Sequence, residues 1–212
     1  TVSRVLGEEV GKQLGVSVVI ENKSGAGGLI GLQEVLRSPK DGYTVGLVVP
    51  ATMMTLPLTN PNYSIKPLDD FEPITLALRT FLALVVDAQL GIKNLAEFKQ
   101  YAQKNKGKLS YGTSGPGPAQ NQIELLKQVA GINIMEVPYK STAQAMTDLM
   151  SGELSLFPSV LSVALPHVQS GRIKALALLD VKRSPQAADL PTVVEDLNIA
   201  NYTPTPVWYG FV

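Results

Sequence analysis

Three short runs rich in glycine, serine and proline each stand where a buried apolar stretch gives way to a helical pattern. They are Glu21-Asn22-Lys23-Ser24-Gly25-Ala26-Gly27-Gly28, Tyr111-Gly112-Thr113-Ser114-Gly115-Pro116-Gly117-Pro118 and Val137-Pro138-Tyr139-Lys140-Ser141-Thr142. A turn of this kind leaves uncommitted backbone N–H groups at a helix N-terminus, where the helix dipole also favours negative charge. Several of them in one chain predict a protein built to hold a small anion.

The periodicities between these turns predict alternating helices and strands. Val2, Val5, Leu6, Val10 and Leu14 fall on one helical face, and Gly15 ends that helix. Val16 to Ile20 is β-branched and nearly continuous, the pattern of a buried parallel strand. A helix from about Leu29 to Leu36, a turn at Asp41-Gly42 and a strand over Thr44–Val49 follow, then a polar, proline-bearing excursion over Thr59–Asp70. Further strands are predicted over Leu82–Val86, Leu109–Gly112, Ile134–Val137, Leu154–Phe157 and Ala175–Leu179. The helices between them run from a capping box at Asn94 and Glu97 to about Asn105, over Gln120–Ala130 with Gly131 as the stop, and near Ala143–Met150 and Leu161–Ser170. Strands alternating with helices imply an α/β fold with parallel-dominated sheets flanked by helices, and ligands outside the carboxyl ends of the strands.

Composition narrows the chemistry. The 212 residues are 45% apolar and 17% charged, a globular composition. Lysine plus arginine equals aspartate plus glutamate, 18 each, which argues against nucleic acid as the partner. An anion must therefore be held by local dipoles and hydrogen bonds rather than by a basic field. With no cysteine, thiol nucleophiles, disulfides and thiolate metal sites are excluded. His167 is the single histidine and has no acidic residue at ligand spacing, so neither a metal site nor a catalytic triad has its parts. Gly25 and Gly27 only partly match a dinucleotide loop, since position 30 is isoleucine. No cofactor and no catalytic residue is expected.

The residues that suit an anion cradle are Thr52, at the end of a strand, Ser114 and Gly115 in the second glycine-rich loop, Gln120 opening its helix, and Ser141 and Thr142 at the head of the next. Tyr139 and Ser159 are second-tier candidates, Tyr139 as a wall of the pocket.

An ordered series of motifs resembles the Bug-type receptors, the extracytoplasmic solute-binding proteins of tripartite tricarboxylate transporters. The series runs from Glu21 to Gly28 through Asp41-Gly42-Tyr43-Thr44, Asp70-Phe71-Glu72-Pro73-Ile74, Gly107 to Gly112, Val137-Pro138-Tyr139-Lys140 and Pro166 to Ala177. It continues through Lys182-Arg183-Ser184-Pro185 and Leu190-Pro191-Thr192-Val193 to Trp208-Tyr209-Gly210, covering nearly the whole chain. The resemblance implies a two-lobed periplasmic-binding-protein-like fold with a small organic carboxylate, a dicarboxylate above all, held in the interlobe cleft and passed to membrane transporter subunits. It implies a periplasmic location with a signal peptide removed. The expected lobes are residues 1–80 with 205–212, and 81–204.

Departures from the family pattern shape these expectations. The family's opening strand and its proline–glycine–glycine loop would precede Thr1, and its final segment would follow Val212, so the first lobe is expected to be incomplete and to expose strand edges and apolar surface. Ala119-Gln120-Asn121-Gln122 stands where many members carry a small residue, serine and histidine, and Ser141 stands where they carry glycine. Pro158-Ser159-Val160 is expected to be a loop without the aspartate that holds an amino group in many members. The alternatives are a ligand-sensing partner of a signalling system and a nucleotide-dependent α/β enzyme, which would need an acid or base at a strand end.

Overall fold

The computed structural model describes residues 2–23, 25–199 and 201–212. The chain divides into two compact units, Thr1–Ala77 with Tyr209–Val212, and Leu78–Trp208.

In the first unit, α1 (Val2–Leu14) is followed by Gly15 in the left-handed region and then by an extended segment. That segment lies along the glycine side of α1: a Cβ on Gly7 would meet Val18 and Ile20 at 3.1 Å, and the Val16 N–H donates to the Gly11 carbonyl at 3.0 Å. The expected strand over Val16–Ile20 does not form, because among the described residues no neighbouring strand offers it a hydrogen-bond ladder. The expected apolar face of α1 stays exposed, with Val5 at 64% and Leu14 at 69%. The first glycine-rich run makes a tight turn over Ala26–Gly28 and opens α2 (Leu29–Arg37); Ser24 lies outside the described residues. The strand expected over Thr44–Val49 contracts to β1 (Leu47–Val48). A π-helical turn over Ala51–Thr55 then leads into α3 (Leu56–Thr59), and α4 (Pro67–Asp70) sits within the proline-bearing excursion. Two strands cross the division between the units, β2 (Thr75–Thr80) and the last strand, β8 (Val207–Phe211). β8 lies between β1 and β2, and Leu47 faces Phe211 in an antiparallel pair.

The second unit is organised around β3 (Leu82–Asp87), buried along its whole length. Its side chains alternate. Leu82, Leu84 and Val86 pack with Phe98 of α5 (Leu95–Lys104) and with Ile123 and Leu126 of α6 (Pro118–Ala130). Ala83 and Val85 pack with Met146 and Leu149 of α7 (Thr142–Met150) and with Leu161 and Ala164 of α8 (Leu161–Gln169). A strand covered by helices on both faces must be apolar on both, which is why its sequence shows no polar alternation.

β3 pairs antiparallel with β6 (Phe157–Val160) and with β7 (Ile173–Leu178). β4 (Ser110–Thr113) pairs parallel with β5 (Met135–Pro138), and a parallel bridge from Tyr111 to Leu156 joins that pair to the chain entering β6. β5, β4, β6 and β7 therefore share one direction, and β3 alone runs against them. The parallel character expected from the sequence holds for four strands, while β3 shows that an apolar run covered on both faces does not encode its own direction.

β6 begins three residues later than expected, so Pro158-Ser159-Val160 is strand rather than loop. Leu156 donates to the Ser110 carbonyl at 3.1 Å and accepts from the Gly112 N–H at 3.2 Å. In that register residue 158 would donate next. It is proline and has no N–H, so the ladder to β4 ends as a single bridge while pairing with β3 continues through Leu84.

The helix ends carry specific caps. Asn94 accepts from the Glu97 N–H at 2.8 Å, as expected, but Glu97 reaches back to the N–H of Lys93 rather than of Asn94. The first N–H of α5, on Leu95, goes instead to Asp196 at 2.6 Å. Asp196 lies on α9 (Val193–Leu197), whose own head is a complete capping box between Thr192 and Glu195. The Thr192 N–H first, then Arg183 at 2.9 Å, hold Glu195 below its usual 4.5. A carboxyl depressed on folding stabilises above its unfolded value, and that contribution is lost as pH falls through the folded one. Glu195→Gln is therefore expected to flatten the acid side of the stability profile. In thermal melts between about pH 6 and about pH 3.5, the wild type should lose more stability than the variant.

Candidate functional site

The parallel pairing of β4 with β5 sets the geometry of the site. Thr113 lies opposite Pro138, and one step further the Tyr139 N–H donates to the Thr113 carbonyl at 2.7 Å. The two strands thus exit side by side at one edge of the sheet, β4 toward α6 and β5 toward α7.

On the first exit, Ser114 is exposed and makes no hydrogen bond within the described residues. Gly115 has φ +104°, and a Cβ there would meet nothing within 4 Å, so its backbone borders open space. Gly117 precedes α6 without a side-chain cap, and Pro118 has no N–H to cap. Among the described residues the backbone N–H groups of Ala119 and Gln120 have no protein acceptor. On the second exit, Ser141 is the N-cap of α7, its hydroxyl oxygen accepting from the Gln144 N–H at 3.3 Å. The hydroxyl hydrogen of Ser141 is left free to donate. Thr142 opens the helix and is exposed. Six of the expected residues, Ser114, Gly115, Gln120, Tyr139, Ser141 and Thr142, therefore stand at neighbouring exits of one sheet edge.

Their availability differs. The Gln120 amide donates to both oxygens of Glu136, at 3.0 and 2.8 Å. The half-buried Tyr139 ring packs over Gly112, where a Cβ would meet it at 3.2 Å. Burial first, then Asp148, raise the Tyr139 phenol above its ordinary range, so it stays protonated.

The other two expected residues sit elsewhere. Thr52 belongs to the first unit; it is buried, and its hydroxyl is spent on the Val49 carbonyl at 3.1 Å. Ser159 is not on a loop. It pairs with Ala83 within β6 and turns its hydroxyl to the Val160 carbonyl at 3.3 Å.

Two residues of the site were missed. Thr113 donates to Glu136 at 2.6 Å, and Glu136 gathers both Thr113 and Gln120. A lone acid in the run Ile132-Asn133-Ile134-Met135-Glu136-Val137 was the available signal. Behind them, buried Tyr111 donates to Glu124 at 2.6 Å, and Lys127 approaches the same oxygen at 2.8 Å. Burial, then the Glu124 bond and the Glu136 charge, drive the Tyr111 phenol far up. Burial works against ionised Glu124, but Lys127 and Tyr111 outweigh it and keep its pKa low.

This is a set of helix heads, hydroxyls and open backbone, suited to holding negative charge. Among the described residues no group of three or more histidines, cysteines or acids could hold a metal ion, and no helix is long and apolar enough to cross a membrane.

The sequence profile of the tripartite tricarboxylate transporter family receptor matches residues 2–212. The chain belongs to this receptor family. An R. palustris protein solved with adipate is 30% identical, with a TM-score of 0.92 over 99% of this chain and 70% of that one. MatC from Rhodopseudomonas palustris, solved with malate, is 25% identical with a TM-score of 0.86, again over 99% of this chain and 71% of that one. Protein BugT of Bordetella pertussis is 29% identical over 98% of this chain and 64% of its own length. The family is one of transporter receptors rather than enzymes, and its solved members share the periplasmic-binding fold. The chain spans about 60% of the length of the first curated relatives it matches.

Thr113→Val keeps the shape of the family receptor's β4 exit but leaves Glu136 short of a donor. It is expected to cost about 1–3 kcal/mol of stability, measured by urea denaturation.

Proposed function

We propose that the protein captures a small organic carboxylate, a dicarboxylate by preference, in the periplasm and passes it to the membrane subunits of a tripartite tricarboxylate-type transporter. Ser114, Gly115, Ser141 and Thr142 carry the ligand in this reading, with the free N–H groups at the heads of α6 and α7. Tyr139 walls the site. The observation that carries the reading is the side-by-side exit of β4 and β5, which brings the two hydroxyl-bearing loops that lead into α6 and α7 out at one sheet edge. Family membership and the relatives solved with adipate and malate support it.

The chemistry is recognition without reaction. A carboxylate oxygen takes two or more N–H or O–H donors, each charge-assisted and stronger than a neutral pair. Titration calorimetry with adipate and malate tests the reading, and heat of binding with neither would overturn it. Ser141→Gly separates the ligand role from the capping role. Glycine retains most of the N-cap stability but has no hydroxyl, so affinity is expected to fall about fivefold to tenfold with the melting temperature nearly unchanged.

A further inference from the structure

Glu136 brings a negative charge to the place where an anion is to be held. Its position follows from register, since it lies opposite Tyr111 on β5, two residues before the strand exit. The side chain is half-buried and meets two neutral donors, the Thr113 hydroxyl and the Gln120 amide. Among the described residues it forms no ion pair: Lys127 is engaged with Glu124, and Lys140, in the loop after β5, is exposed and pairs with no carboxylate. Gln120 is the third residue of α6, so the carboxylate of Glu136 sits at the same helix head whose free N–H groups face the proposed ligand.

Two carboxylates brought to one helix head without a cation between them repel each other. A carboxylate also has about four lone-pair positions, and two donor groups do not fill them. A ligand that carries its own donor turns this repulsion into a charge-assisted hydrogen bond; a ligand without one leaves the repulsion uncompensated. We propose that Glu136 determines ligand specificity, selecting carboxylates that bear a hydroxyl or ammonium group over their unsubstituted analogues. Gln120 then acts as a positioning residue, holding Glu136 toward the helix head. The inference rests on the carboxylate-receptor reading above.

Succinate, malate and aspartate share one four-carbon skeleton and differ by a hydrogen, a hydroxyl and an ammonium group, which makes them the probes. In titration calorimetry, malate or aspartate is expected to bind the wild type about tenfold or more tighter than succinate. Glu136→Gln should narrow that gap to about threefold, mainly by tightening succinate. If the glutamine variant does not fold, Glu136→Asp carries the test, because withdrawing the charge by one methylene must also narrow the gap. Succinate binding as tightly as the other two in the wild type, or a preference that survives both variants, overturns the inference. Failure of these three and of adipate to bind the wild type would instead remove the carboxylate-receptor reading, and the inference with it, whereas binding of adipate alone overturns only the inference.

Discussion

The hydrogen bond from the Tyr139 N–H to the Thr113 carbonyl closes the parallel pairing of β4 with β5, and the second unit's loop geometry depends on it. Because the strands are parallel and in register, their exits emerge at the same edge, and each must turn into a helix that packs back on the sheet. The two exit loops therefore leave the sheet side by side without any side chain having to hold them, α6 packing on one face and α7 on the other. The burial of β3 on both faces gives the sheet its rigidity, with α5 and α6 on one side and α7 and α8 on the other.

A chain with balanced charge has no long-range field to draw an anion, so what it offers is local. The offer is mixed. Open backbone at Gly115, the Ser141 hydroxyl and uncapped N–H groups favour negative charge, while Glu136 sets a negative charge against it. Tyr111, Glu124 and Lys127 form a self-contained set behind the loop, in which the lysine is already neutralised and adds little to the front.

Most of the second unit was legible because its signals are local. Gly131 stops α6, Asn94 caps α5, a glycine-rich loop ends β4 and Ser141 caps the helix that follows β5, and each feature is written within a few residues of where it acts. What escaped was set by distant partners. The direction of β3 depends on β6 and β7, more than seventy residues on. Pro158 reads locally as a breaker, yet it lies inside β6 because only one of its two neighbours needed the missing donor. Val16–Ile20 has the composition of a strand but no ladder beside it among the described residues. Gln120 reads as a free donor from its place at a helix head, and only the β4–β5 register reveals that Glu136 already holds it. Thr52 and Ser159 show the same limit: a hydroxyl near a strand end has a nearby carbonyl as its first competitor.

The cap on α5 has a consequence for how the molecule assembles. The backbone donor on Leu95 finds its acceptor on Asp196, which leaves the ribosome a hundred residues later. Until α9 has been synthesised and has docked, the leading turn of α5 lacks that acceptor and frays more readily. Closing so long a loop is entropically slow, so this corner of the second unit should be among the last to acquire protection from hydrogen exchange.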